Sequence, residues 1–255
     1  MSSNNTPRTI TVGTATDIGE RTRNADAVAV SAIPLGTGAA VVDGIGSSVE
    51  VCRAARLAAD TAAVVAAHRG AQAGIMAAAD TMPDYPGAPN AVAAVVSVEP
   101  DGRIEVAHVG DAAVWTWSPT VGLFRWTAAQ TVRSHIVHMR TNPGLTTAAR
   151  KHLAQFADAM DVMDDYVLNG LAYATVSTIA WTPLRSSDAA VPLVLLTSDG
   201  VHKPLHNLDI ADVIGRHTDD PQALAEALVN NALAVPLADL DEVRDNATAA
   251  VIRLD

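Results

Sequence analysis

An α+β fold, two sheets with helices packed outside them, is predicted by three features of the chain. β-rich runs open it, recur in its middle and close it. Between the first two groups lies an alanine-rich stretch without proline, from Ser47 to about Ala79. Two further helical patterns precede the last strand, so strands and helices come in blocks that must bury their apolar faces against one another.

The elements follow in order. Thr9 to Ala15 and Asp26 to Ile33 alternate in the manner of half-buried strands, and Gly38 to Val42 is a short apolar run suited to a buried one. These three are expected in one sheet. Ser47 to Ala79 reads as long helix with a break at Gly70 or Gly74. Pro83, Pro86, Gly87 and Pro89 make Met82 to Pro89 a loop, since proline removes a backbone donor and clashes with a preceding helical turn. Ala91 to Val98, Ile104 to Val109 and Val114 to Trp117 are β-rich runs separated by the turn signals Pro100-Asp101-Gly102 and Gly110-Asp111, which predicts an antiparallel meander. Gln130 to Arg140 and Thr146 to Met160 have helical spacing, Thr146 being an N-cap after Asn142-Pro143-Gly144. Ala174 to Trp181 and Val191 to Ser198 return to strand composition. Ile210 to Gly215 and Pro221 to Ala234 are helical, with Pro221 in a first turn, and Ala247 to Leu254 is the closing strand. Neither repeat nor linker divides the chain, so residues 1–255 are expected to form one domain with 1–7 flexible.

Composition narrows the function. The formal charge of −11 disfavours nucleic acid and anionic lipid as partners, because both require a positive field. No apolar run approaches a membrane span, and Met1 to Pro7 lacks the basic start and apolar middle of a signal peptide, so a cytoplasmic location is expected. The single cysteine, Cys52, excludes an intramolecular disulfide and reads as a small core residue on a helix.

Four segments end in an aspartate where a strand should stop: Asp26, Asp43 before Gly44, Asp199 before Gly200, and Asp245 before Asn246. Carboxylates gathered from distant strand ends make a hard oxygen site suited to Mg²⁺ or Mn²⁺, and metal-assisted hydrolysis is the chemistry such a site suggests. Glycine after aspartate permits a sharp turn and lets a backbone oxygen approach an ion.

Five segments in order resemble the metal-dependent PP2C-type (PPM) Ser/Thr protein phosphatases, in particular the bacterial ones. They are Thr16-Asp17-Ile18-Gly19 with Arg21 and Asp26, Val42-Asp43-Gly44-Ile45-Gly46, Val109-Gly110-Asp111, Thr197-Ser198-Asp199-Gly200 and Arg244-Asp245-Asn246-Ala247-Thr248. The resemblance implies a four-layer αββα sandwich of two antiparallel sheets flanked by helices. It implies that Asp43 bridges two Mn²⁺ or Mg²⁺ ions, that the Gly44 carbonyl completes one and Asp199 and Asp245 hold the other, and that Asp26 acts through water. Asp111 with Asp199 would hold a third, weaker ion. Two ions roughly 4 Å apart lower the pKa of a shared water, which attacks phosphorus directly. Arg21, with Arg23 as competitor, would grip the phosphate through its planar fork. The implied substrate is a phosphoserine or phosphothreonine of a protein.

The chain departs from the family pattern at Ala25, where an acidic or amide residue is usual, at Ile45-Gly46-Ser47-Ser48, which removes a candidate general-acid histidine, and at Ala112-Ala113, where serine and arginine are usual. These departures keep two rivals open: a non-catalytic binding or regulatory protein on the same scaffold, and a phosphatase of small phosphate monoesters. Zinc sites at His202 and His206 or at His135 and His138 lack a third local ligand, and Pro204 interrupts the first pair. Trp115, Trp117 and Trp126 are expected in the core. Oligomeric state is left open.

Overall fold

The computed structural model describes residues 9–159, 166–184, 191–237 and 243–255. Its strands are β1 (Ile10–Asp17), β2 (Asp26–Ile33), β3 (Gly36–Gly44), β4 (Ala91–Val98), β5 (Ile104–Val109), β6 (Ala113–Ser118), β7 (Gly122–Arg125), β8 (Ala180–Leu184), β9 (Leu193–Thr197) and β10 (Ala247–Leu254). Its α-helices are α1 (Val49–Arg69), α2 (Ala71–Ala79), α3 (Val132–Thr141), α4 (Thr147–Ala159), the single turn α5 (Asp199–His202), α6 (Asn207–His217) and α7 (Pro221–Ala234). The expected flexibility of 1–7 and the expected helical Met160 lie outside the described residues.

Two antiparallel sheets of five strands run in the orders β1-β10-β9-β6-β7 and β2-β3-β4-β5-β8. Three apolar clusters define four layers. Ala40, Val42, Ala93 and Val95 pack against the alanines of α1 and α2; Ala39, Val41, Ala94 and Val96 face Val114, Val194, Leu196 and Ile252 of the other sheet; Leu193, Leu195 and Val251 pack on α6 and α7. Successive side chains of a strand point to opposite faces, so β4, covered on both, is buried at all eight positions and reads as a continuous apolar run. The αββα sandwich implied by the resemblance is the observed architecture.

Local chemistry sets the ends of the helices. Ser48 caps α1, its Oγ accepting from the Val51 N–H at 3.2 Å, and Asp220 caps α7 by accepting from the N–H groups of Gln222 and Ala223 at 3.0 Å. The long helical stretch breaks at Gly70 rather than Gly74, at a φ of 90° that favours glycine.

Three expectations are corrected. β1 pairs with β10, not with β2, because the loop after Asp17 crosses from one sheet to the other. Alternation marks a strand but not its partner. The meander divides after β5: β6 joins β7 and β9 in the other sheet. Gln130 binds both the N–H and the carbonyl of Gly110, each at 2.9 Å, and so removes them from a hairpin ladder. Strand structure begins at Ala180 rather than Ala174. Thr175 and Thr178 bond to each other's backbone and hydroxyl groups and hold a turn, the usual competition of short polar side chains with a ladder. Pro183 in β8 is tolerated because that strand is the sheet edge.

Candidate metal centre

Every expected metal residue lies at one rim of the sandwich, for a reason of topology. In an antiparallel pair the end of one strand meets the start of the next, so Asp43 closing β3 stands opposite Asp26 opening β2. The end of β9 meets the starts of β10 and β6, which brings Asp199, two residues past β9, beside Asp245, two before β10, and Asp111, two before β6. Arg21, Asp43, Gly44, Asp111, Asp199 and Asp245 line a common cleft of about 200 Å³. Asp26 is buried beneath it, 6% exposed.

A hydrogen-bonded frame joins the sheets at this rim. Ser198 donates to Asp26 Oδ2 at 2.7 Å and accepts from the Thr248 N–H at 2.9 Å. Asn246 accepts from the Ala25 N–H at 2.8 Å and donates to the carbonyls of Ile18 at 2.8 Å and Arg23 at 3.1 Å. Ala25, the first departure from the family pattern, is held through its backbone, its carbonyl accepting from the Gly44 N–H at 3.1 Å. Arg125 on β7 donates to the Asp111 carbonyl at 3.3 Å, so the turn before Ala112-Ala113 gains its polar support from the neighbouring strand.

The electrostatics are those of acids crowded out of water. Burial, with Asp199 and Asp245 nearby and against the hydroxyl of Ser198, pushes Asp26 up to about 7. Loss of solvent and the neighbouring carboxylates raise Asp43 well above the usual range. Burial also opposes ionisation of Asp199, but the Lys203 ammonium, 2.8 Å from Asp199 Oδ2, outweighs it and holds Asp199 low. The carboxylates of Asp43 and Asp199 act on one another, and the neighbouring charge is one cause of the rise at Asp43. Arg21 lies 2.8 Å from Asp245 Oδ2. The guanidinium expected to hold phosphate is thus seated on a carboxylate of the site.

The donor set suits a hard divalent cation: carboxylates, a backbone carbonyl at Gly44 and access to water, with neither thiolate nor imidazole among them. Carboxylates crowded together repel one another unless protons or a cation neutralise them. No group of three or more His, Cys, Asp or Glu side chains among the described residues is preassembled to hold an ion. Arg21 and Lys203 account for this, since they hold Asp245 and Asp199 as ion pairs.

Sequence reasoning missed Lys203, Ser198, Arg125 and the bridging part played by Asn246. Lys203 was discoverable, being four residues after Asp199 on a helical turn, the spacing of facing side chains. The glycines answer to packing more than to turns: a Cβ at Gly200 would stand 2.0 Å from the Asn246 carbonyl oxygen, and one at Gly44 2.5 Å from Val51 Cγ1. Neither has a positive φ. His202 is half-buried with Nδ1 3.0 Å from Thr197 Oγ1, while His206 caps α6 and His135 and His138 are exposed, so neither histidine pair is drawn together toward a zinc ion. Trp115 is buried as expected, but Trp126 is 36% exposed, its indole N–H satisfied by Thr116 Oγ1 at 2.8 Å. Cys52 is half-buried at the edge of α1 rather than in the core.

No family model and no curated protein matches the chain. Solved structures do. The PPM Ser-Thr phosphatase MsPP from Mycobacterium smegmatis, in complex with cacodylate, is 22% identical with a TM-score of 0.69, over 96% of this chain and 98% of that one. Serine/threonine phosphatase Stp1 from Staphylococcus aureus is 14% identical with a TM-score of 0.74, over 100% and 99%. The catalytic domain of the serine/threonine protein phosphatase PstP, in complex with two manganese ions, is 19% identical with a TM-score of 0.63, over 96% and 98%. The chain therefore has the fold of the bacterial PPM phosphatases from end to end.

Proposed function

We propose that the protein is a divalent-cation-dependent phosphatase that hydrolyses phosphoserine or phosphothreonine on proteins. The observation that carries this reading is the convergence of Asp26, Asp43, Asp111, Asp199 and Asp245 from separate strand ends at one rim, with Arg21 in the same cleft. Asp43, the Gly44 carbonyl, Asp199 and Asp245 would hold two Mn²⁺ or Mg²⁺ ions, with Asp26 acting through water. When bound, such ions acidify water and neutralise phosphate charge. Arg21 would leave Asp245 for the phosphate, to which its planar fork can donate two hydrogen bonds. Asp26, fixed by Ser198 at 2.7 Å, would accept hydrogen bonds from water held at the site and so orient it. The PPM structures named above support the reading by fold, and PstP with two manganese ions supports the choice of metal.

A second reading, a scaffold that binds without turnover, is favoured by the ion pairs of Arg21 and Lys203, which already neutralise two of the aspartates. Mn²⁺-dependent phosphate release from a phosphothreonine peptide separates the two. Turnover lost with EDTA and in Asp199→Ala is the expected result. A folded, Mn²⁺-binding protein without turnover would establish the scaffold, and preference for a small phosphate ester over the peptide would change the substrate class.

A further inference from the structure

Lys203 occupies a place that a cation would otherwise take. Its Nζ lies 2.8 Å from Asp199 Oδ2 and 4.0 Å from Asp111 Oδ2, between the two carboxylates that the family resemblance assigns to a third ion. The position is built into the fold: Lys203 follows Asp199 by four residues, so one helical turn returns its side chain over that carboxylate. A second cation flanks Asp111. Arg125, stacked over the Trp115 ring at 5.1 Å, donates to the Asp111 carbonyl at 3.3 Å. The Asp111 side chain is 8% exposed. A third divalent ion would need an octahedral shell with several waters, at a point that already faces both an ammonium and a guanidinium.

We propose that the Lys203 ammonium stands in for the third divalent cation between Asp199 and Asp111, so that the protein holds two such ions and not three. This rests on the two-cation reading above. A tethered ammonium supplies positive charge to Asp199 at every concentration of metal, and its single charge leaves the carboxylate able to serve a divalent ion on its other side. Asp111 then binds no metal and serves as the second anchor of the lysine.

The test counts bound metal and does not depend on turnover. EDTA-stripped full-length protein and its Lys203→Met, Lys203→Arg, Asp111→Asn and Lys203→Met/Asp111→Asn variants are dialysed to equilibrium against Mn²⁺, and bound ions per folded chain are measured by elemental analysis. Two ions are expected in the parent, in Lys203→Arg and in Asp111→Asn, three in Lys203→Met, and two again in the double variant. Three ions in the parent, falling to two in Asp111→Asn, would overturn the proposal without need of any lysine variant. Two ions in both parent and Lys203→Met would overturn it while leaving the two-cation reading intact. A folded parent that binds no Mn²⁺ overturns that reading and this proposal together.

Discussion

Asn246 fixes three backbone positions at once, in the loop from β1 to β2 and at the start of β2, through hydrogen bonds of 2.8, 2.8 and 3.1 Å. Because Asp245 precedes it, the side chain that locks the loop also sets where that carboxylate stands. Removing it leaves the buried Ala25 N–H without its acceptor and turns the part-buried carbonyls of Ile18 and Arg23 over to water. Asn246→Ala is expected to lose about 3 kcal/mol in urea denaturation, the sum of roughly 1 kcal/mol per bond. A loss within a few tenths would mean that water replaces the amide. Asn246→Asp should be no better, since it restores the acceptor for Ala25 but neither donor.

At the scale of elements, the approach of α5 to β10 is the most tightly determined contact at the rim. A Cβ at Gly200 would meet the Asn246 carbonyl oxygen at 2.0 Å, and that atom belongs to backbone that cannot rotate aside. Gly200→Ala should therefore shift β10, destabilise the fold by about 1–3 kcal/mol as overpacking does, and weaken Mn²⁺ binding by displacing Asp199 from Asp245. Titration showing parental Mn²⁺ affinity would indicate that the strand recedes without disturbing the rim. Elements whose own side chains dictate their conformation were legible in the sequence: α1 from its alanines, α7 from Pro221 in its first turn, and β4 from a β-rich run ahead of a turn signal. Pairing was not, because the partners of β1 and β6 are chosen by Asn246, Gln130 and Arg125, which act across long separations. Asp43, Asp199 and Asp245 were legible because each stands near a strand end before a glycine or amide, although Asp26 opens β2 and Asp245 precedes β10 where strands were expected to stop. The cations seated on them were less so: Arg21 was read as a phosphate group's partner and not as that of Asp245, and only the spacing of four residues pointed Lys203 at Asp199.

For the whole molecule, buried histidines and buried aspartates oppose one another in acid. Burial holds His202 neutral down to about 3 and lowers His108 as well. An unfolded histidine takes its proton near 6.5, so stability from these groups is present above that pH and drains away as pH falls toward 3. Asp26, raised to about 7 from 3.8, works the other way: the folded state takes its proton first, and falling pH adds stability across that interval. A bound cation keeps the carboxylates ionised and cancels their contribution. Melting temperature should then fall more steeply below pH 6.5 in Mn²⁺ than in EDTA, and parallel curves would show that Asp26 and Asp43 do not respond to the metal.

The two sheets meet over a middle layer built chiefly of valine and alanine, in a chain only 4% aromatic. Asp26 and Asp43 belong to one sheet, whereas Asp199 and Asp245 extend from the other. The Ser198–Asp26 and Asn246–Ala25 hydrogen bonds already stitch the two sheets along this seam, so an ion held by both pairs would fasten them where they are joined.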